Sequence, residues 1–474
     1  MTTINRSSSS SSDNDDGVCN IGQLLPRLTL PNPICSNIPG TWAYDTMSRR
    51  IDDEILQRVY DDNSGFLIAN IDILYSFQKL RDELRAASFT KLTMLPELSS
   101  QNNASHERRE EWRVWQNILQ PYITSEDTWL SAPWMITEFY VYRKLMECLG
   151  YWTINSPGYN HDPFNEQKRT GLISSVGSAG PILGRLLSLT TITTSDDTIG
   201  GEKTAEVGGI AIAASIALWG NKMDLSLWPA NIDNTDKDIF TNVLNSASTN
   251  LLHDDLPTLS RYCETVLRTK NNGGGGNVYI IVDNAGFELI TDLALGQYLL
   301  CSGIAHCITY CLKSHPTFVS DALEKDLLDH VEYYANLDEK LYPQSKQCGT
   351  LWKEYLSNGR FVCKEDNFWV QPLAMWDMPS PLHDEFVTQC DLAFVKGDAN
   401  YRRLLGDRQW QLTDTFEDVV GYYFPCPVCA LRTFKAEIGC GLEREQIDKA
   451  RKLDSNWMVN GRFGVVQFSQ GMDR

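Results

Sequence analysis

Apolar residues in the first third of the chain recur at helical spacing. The clearest stretch is Trp134–Leu149, where Met135, Phe139, Tyr142, Met146 and Leu149 fall three or four apart and share one helix face. Ser131 is placed to cap its start and Gly150 to end it, and Arg143 and Glu147 lie one turn apart on its flank, where they can pair. The helical pattern begins near Thr41. Before it, residues 1–30 are polar and of low complexity, with serine from Ser7 to Ser12 followed by Asp13, Asp15 and Asp16, and a disordered tail is expected. Leu189–Thr204, rich in Thr, Ser, Asp and Gly, reads as a loop or insertion. Its Glu202-Lys203-Thr204 lacks the glycine that a phosphate-binding loop needs before the lysine, so a nucleotide site is not expected there.

Further on the pattern changes. A glycine-rich loop, Gly273–Gly276, leads into Val278-Tyr279-Ile280-Ile281-Val282, a continuous apolar run of the kind found in buried parallel strands. Glu288–Leu300 has helical spacing. Further strands are predicted at Ala305–Leu312, Leu392–Val395, Cys429–Thr433 and Val465–Phe468. Strands alternating with helical segments predict βαβ units, hence an α/β fold with a mainly parallel, Rossmann-like sheet. The expected division is a tail at 1–30, a helical N-terminal lobe at 31–200 with the Thr-rich insertion at its end, and an α/β catalytic domain at 201–474.

At 474 residues the chain exceeds one typical core, which fits a large α/β domain with an added lobe. It carries 42 Lys and Arg against 61 Asp and Glu, a net charge of −19. So acidic a chain argues against nucleic-acid partners, which need a broad basic face, but not against small phosphorylated molecules held by a few local cations. There are 13 cysteines, an odd number, and no apolar leader opens the chain. Reduced thiols in a cytoplasmic or nuclear protein are the expectation. The most apolar window, Val207–Trp219, is too short to span a bilayer, so no membrane partner is expected.

Ligands of open α/β sheets bind beyond the carboxyl ends of the strands. Here those ends carry Asp283-Asn284-Ala285-Gly286-Phe287-Glu288, then Lys313-Ser314-His315-Pro316 with Ser320-Asp321, then Lys396-Gly397-Asp398 with Asn400, Tyr401 and Arg402, and finally Arg432-Thr433-Phe434-Lys435. Asp283, Asn284 and Asp321 offer only oxygen ligands, which suit a hard divalent cation. Lys396, Arg402 and Lys435 are cations suited to a phosphate. A metal and cations around one anion stabilise the charge that develops in phosphoryl transfer. The plainer alternative is that the acids cap helices and the cations form ordinary ion pairs.

Three of these segments, Asp283-Asn284-Ala285-Gly286-Phe287-Glu288-Leu289, Phe394 through Arg402, and Arg432-Thr433-Phe434-Lys435, resemble motifs of the DUF89 family of damage-control phosphatases, the last being the RTxK motif of its eukaryotic subfamily III. Supporting matches at Pro133-Trp134, Leu218 to Lys222 and Phe318 to Asp321 keep the same order along nearly the whole chain. The resemblance implies a three-layer α/β/α sandwich with a helical N-terminal lobe. It implies Asp283, Asn284 and Asp321 as metal ligands and catalytic residues, with Glu288, Lys396, Asp398, Ala399, Asn400, Tyr401, Arg402 and Lys435 beside them in contact with substrate. Ala399 stands where relatives often have Leu. The cofactor implied is Mn²⁺ first, with Co²⁺, Ni²⁺ or Mg²⁺ as alternatives. The activity implied is hydrolysis of hexose phosphates such as fructose 1-phosphate and fructose 6-phosphate.

Other readings stay in view. A haloacid-dehalogenase-type phosphatase would need a second Asp where Ala285 stands. S-adenosylmethionine-dependent carboxyl methylation is weakened by the missing G-x-G loop after the first strand. A non-catalytic sugar-phosphate binder would carry the same residues without turnover. Cys426-Pro427-Val428-Cys429 has no second CxxC, which favours buried structural thiols over a zinc or redox site. His306 and His315 read as core or rim residues.

Overall fold

The computed structural model describes residues 24–98, 106–194, 208–220 and 249–471. The serine run at Ser7–Ser12, most of the Thr-rich stretch and the Asn221–Lys222 match lie outside the described residues. Seven strands form one sheet: β1 (Leu251–Asp254), β2 (Gly276–Ile281), β3 (Ala305–Lys313), β4 (Phe361–Asp366), β5 (Leu392–Lys396), β6 (Val428–Thr433) and β7 (Gly464–Ser469). Their order is β1-β7-β6-β5-β2-β3-β4, and only β6 and β7 run antiparallel. Five of the seven are the expected strands. The two that patterning did not announce, β1 and β4, are the edges, short or mixed in polarity because one side of each meets no partner.

Alternation along the central strands explains why they are apolar throughout. On β2, Tyr279 and Ile281 enter one core, while Val278 and Ile280 enter the other. On β5, Ala393 and Val395 face the first core, and Leu392 and Phe394 the second. Helices cover both faces, so the molecule is a three-layer α/β/α sandwich with a helical N-terminal region packed on the first face. The CxxC cysteines divide in the same way, Cys426 into the first core and Cys429 into the second, and the described cysteines are free.

Two local expectations are corrected. Leu189–Thr204 was expected to be a loop throughout, but its first residues complete a long helix, Asn165–Thr194, whose Leu172, Val176, Leu183 and Leu186 are buried in the second core. Apolar contact there outweighs the turn-forming composition. The helix therefore packs with the sheet layers and not with the preceding lobe. Trp134–Leu149 forms as expected and ends at Gly150 in the left-handed region, with Arg143 and Glu147 paired at 2.8 Å. Ser131 does not cap it, because its Oγ donates to Asp127 and accepts from Thr128 N. The Met135 N–H is instead taken by Asp407 Oδ2 at 3.1 Å, from the far side of the interface.

Asp407 is half of a buried tie between the lobe and the sheet. Arg402 donates to both Asp407 oxygens, at 2.9 and 3.1 Å, and to Glu138 Oε2 of the Trp134–Leu149 helix at 2.6 Å. Its guanidinium also lies 3.5 Å from the centre of the Trp134 ring. Removing one member of such a set strands buried charge. Arg402→Met should lower unfolding stability in denaturant by about 3–5 kcal/mol, with full native signal at zero denaturant.

Candidate active site

The site forms where β2 and β3 end. After Ile281 the chain turns through Asp283-Asn284-Ala285-Gly286 into the helix Phe287–Cys301. After Lys313 it loops out and returns at Ser320-Asp321-Ala322 beside that turn. Asn284 and Asp321 form a β-bridge, Ala285 N donates to Ser320 O at 2.7 Å and Ala322 N to Asp283 O at 2.9 Å. The backbone thus holds two acids from separate strands side by side. The Asn284 amide links the group: Nδ2 donates to Asp283 Oδ2 at 2.7 Å and to Glu288 Oε2 at 3.0 Å, and Oδ1 accepts from Ser320 Oγ at 2.5 Å.

Asp283, Glu288 and Asp321 are all buried. Burial, and then the neighbouring Glu288 and Asp321 charges, push the Asp283 carboxyl well above the ordinary range. Burial also pushes Asp321 up to about 6. Asp321 Oδ2 faces Lys313 Nζ at 3.3 Å, a long ion pair. Gly397, at φ +82°, leaves room for Asp283. A Cβ there would lie 2.0 Å from Asp283 Oδ2, so no other residue is accommodated.

The expected cations separate into different tasks. Lys435 is exposed at the rim, its charge reaches Asp283, and it forms no ion pair among the described residues. Lys396 is buried and turned away, donating to Asp292 Oδ1 at 2.7 Å, Ala217 O at 2.6 Å and Glu288 Oε1 at 3.3 Å. Arg402 is spent on the lobe tie. Asn400 donates to Val282 O and Lys396 O, and Tyr401 Oη donates to Gln467 at 2.7 Å, both inside the protein. Asp398 sits nearer the surface, accepting from Arg432 Nε at 2.7 Å and Lys435 N at 3.0 Å, with the half-buried Ala399 next to it. The segment 398–402 therefore meets the site through Asp398, Ala399 and its backbone. The side chains of Asn400, Tyr401 and Arg402 serve the interior.

The sequence profile of the damage-control phosphatase ARMT1-like domain matches residues 62–450. The chain belongs to that family. Proteins named damage-control phosphatase ARMT1 are similar over nearly their full length: 31% identical in Danio rerio, covering 93% of this chain and 97% of the relative, and 29% in Homo sapiens, covering 93% and 98%. The Mus musculus protein is 32% identical over 72% of this chain and 75% of its own. A solved DUF89 family protein from Pyrococcus horikoshii aligns at 16% identity and a TM-score of 0.36, covering 77% of this chain and 91% of that one. The DUF89 resemblance of the motifs is borne out, and membership places the chain among phosphatases of metabolite repair.

Within this damage-control phosphatase fold, the structure adds residues that the strand-end reading left unassigned. Lys313, buried at the end of β3, donates to Trp369 O at 3.0 Å and Asn400 Oδ1 at 3.3 Å and stands beside Asp321. A lysine closing an otherwise apolar strand, Ile308 to Leu312, was the available signal. Arg432 is fully buried between the Tyr401 and Phe434 rings and donates to Ile438 O and Ala436 O, which shapes the loop that carries Lys435. Asp292 pairs with the buried Lys396. His315 is buried against Trp152, and His306 is exposed. Among the described residues no three His, Cys, Asp or Glu side chains gather at metal-ligand spacing.

A carboxyl whose pKa is raised in the native state keeps a proton that the unfolded chain has released. For Asp321 the folded value is about 6 against an ordinary 3.8, so the metal-free protein loses stability as pH rises through that interval. Thermal melts of chelator-treated protein between about pH 4 and about pH 8 should show this decline. Asp283→Asn should flatten it and raise the melting temperature at neutral pH.

Proposed function

We propose that the protein is a metal-dependent phosphatase of sugar phosphates, with hexose phosphates such as fructose 1-phosphate and fructose 6-phosphate as the substrate class and Mn²⁺ as the first candidate metal. The observation that carries the reading is the charge balance of the enclosed site. Four buried acids, Asp283, Glu288, Asp292 and Asp321, surround two buried lysines, Lys313 and Lys396. With all four acids ionised, four negative charges less two positive leave a formal excess of two, which one divalent cation neutralises. The donors fit a hard cation: oxygen atoms only, with Asp321 Oδ2 held by no partner but the Lys313 ammonium at 3.3 Å. Asp283, Asp321 and the Asn284 amide oxygen would hold the metal, the amide turning over from its present contacts.

When bound, the metal supplies Lewis-acid polarisation of a phosphoryl oxygen and eases deprotonation of water. The chain's own groups do the rest. Lys435 offers a mobile ammonium to the phosphate from the open side. Arg432 holds Asp398, which accepts the Lys435 N–H and keeps that loop in reach. Lys313 steadies Asp321 from beneath.

A panel of sugar phosphates tested against Mn²⁺, Co²⁺, Ni²⁺ and Mg²⁺ should find phosphate release that chelation abolishes. Asp283→Ala should remove it while the circular dichroism spectrum remains native. Lys435→Ala should lower kcat/KM by about a hundredfold with no change in melting temperature, since the side chain is exposed. Wild-type turnover by Asp283→Ala would overturn the site. Transfer of a labelled methyl group from S-adenosylmethionine with no phosphate release would overturn the reaction, and tight sugar-phosphate binding without turnover would leave a binding protein.

A further inference from the structure

One buried imidazole touches the candidate turn from outside the ring of acids. His330 lies on the helix Glu324–Ala335 and is buried. Its Nε2 is 2.8 Å from Gly286 N, and its Nδ1 is 2.6 Å from Asp326 O. A backbone N–H can only donate, so Nε2 is the acceptor and the ring proton sits on Nδ1, bonded to the Asp326 carbonyl. Burial pushes the imidazolium pKa down to about 4, so the ring is a neutral acceptor at ordinary pH.

The group it holds matters. Gly286 has φ +75° and is the last residue before the helix Phe287–Cys301, which carries Glu288. From the opposite side Gly171 of the helix Asn165–Thr194 closes in, 3.4 Å from where a Gly286 Cβ would stand. Behind the imidazole, Asp326 is itself fixed: its Oδ2 accepts from Lys168 Nζ at 2.7 Å and Leu323 N at 2.9 Å. Two helices of the second layer thus grip the turn, and His330 is the polar half of the grip.

We propose that His330 is a positioning residue for the hydrolytic site: by accepting the Gly286 N–H it fixes the turn that presents Asp283 and Asn284 and aims the helix bearing Glu288. This rests on the reading of Asp283, Asn284 and Asp321 as the metal site. Neither His330 nitrogen reaches an acid of the site, so it acts only through the backbone. Partners that orient metal ligands commonly carry a tenfold to hundredfold share of affinity or rate.

Two substitutions separate positioning from packing. His330→Gln can place an amide oxygen where Nε2 stands. His330→Asn keeps a donor for the Asp326 carbonyl but is too short to reach Gly286. Mn²⁺ affinity by calorimetry and kcat/KM for fructose 1-phosphate should both fall about tenfold to a hundredfold in His330→Asn and stay within about threefold of wild type in His330→Gln. Hydrogen exchange read by mass spectrometry over 283–287 should show the Gly286 amide protected in the wild type and in His330→Gln, and exposed in His330→Asn. Asn behaving as wild type, or Gln falling as far as Asn, overturns the proposal. If the Asn variant does not fold, the wild-type exchange decides: an unprotected Gly286 amide overturns it and a protected one supports it. If the wild type binds no Mn²⁺ and releases no phosphate, the site reading has failed, and the Gly286 exchange still tests the grip by itself.

Discussion

Everything around the end of β2 answers to one constraint, the enclosure of Asp283, Glu288 and Asp321 in a shared, poorly hydrated volume. Like charges held this way repel and lose water at the same time, and each penalty is larger because the other is present. A fold can keep such a cluster only if the backbone over-determines it. Here it does: the Asn284–Asp321 bridge, the Ala285 and Ala322 hydrogen bonds and the absent side chain at Gly397 leave the acids no room to separate. The Asn284 amide, donating to two of them, is the neutral group that makes the contact tolerable.

The cations divide by depth. Lys396 and Lys313 are buried and matched to acids, so their charge is spent inside the protein. Arg402, also buried, joins layers, where a planar fork reaching Glu138 and both Asp407 oxygens does what a lysine could not. Lys435 alone of the strand-end cations combines exposure with reach toward Asp283. A strong contiguous motif can therefore mix groups that meet a ligand with groups that hold the chain in place. In Lys396–Arg402 the second kind is the majority.

The central strands were legible because both faces are buried, which turns the alternation of a sheet into an unbroken apolar run such as Val278–Val282. The edges were not, because Phe361–Asp366 has only three apolar residues before three charged ones. Asp283, Asn284 and Asp321 were legible as strand-end oxygens, and the structure brings them together. What one strand end could not reveal is which way a side chain turns. Tyr401 and Arg402 look like ligand groups in a motif, yet their partners, Gln467 and Glu138, lie 66 and 264 residues away in sequence. Pairings at that separation leave no periodic trace. The start of the Thr-rich stretch failed for a related reason: the helix is anchored in the second core as far as Leu189, a contact that composition does not encode.

The net charge of −19 and the local cluster are separate matters. Surface acids are solvated and screened, so their number raises the potential over the molecule only slightly at physiological salt. The enclosed acids act through low polarisability, where a single added charge changes every neighbour. A turn that must keep such groups a fixed distance apart cannot rely on the acids for its rigidity, since they push outward. It needs neutral holds applied to the backbone, and the bonds at Ala285, Gly286 and Ala322 are of that kind. On this view the second layer of helices does more than cover the sheet. Through His330 on the Gly286 N–H it supplies an inward hold that lets a repulsive cluster persist.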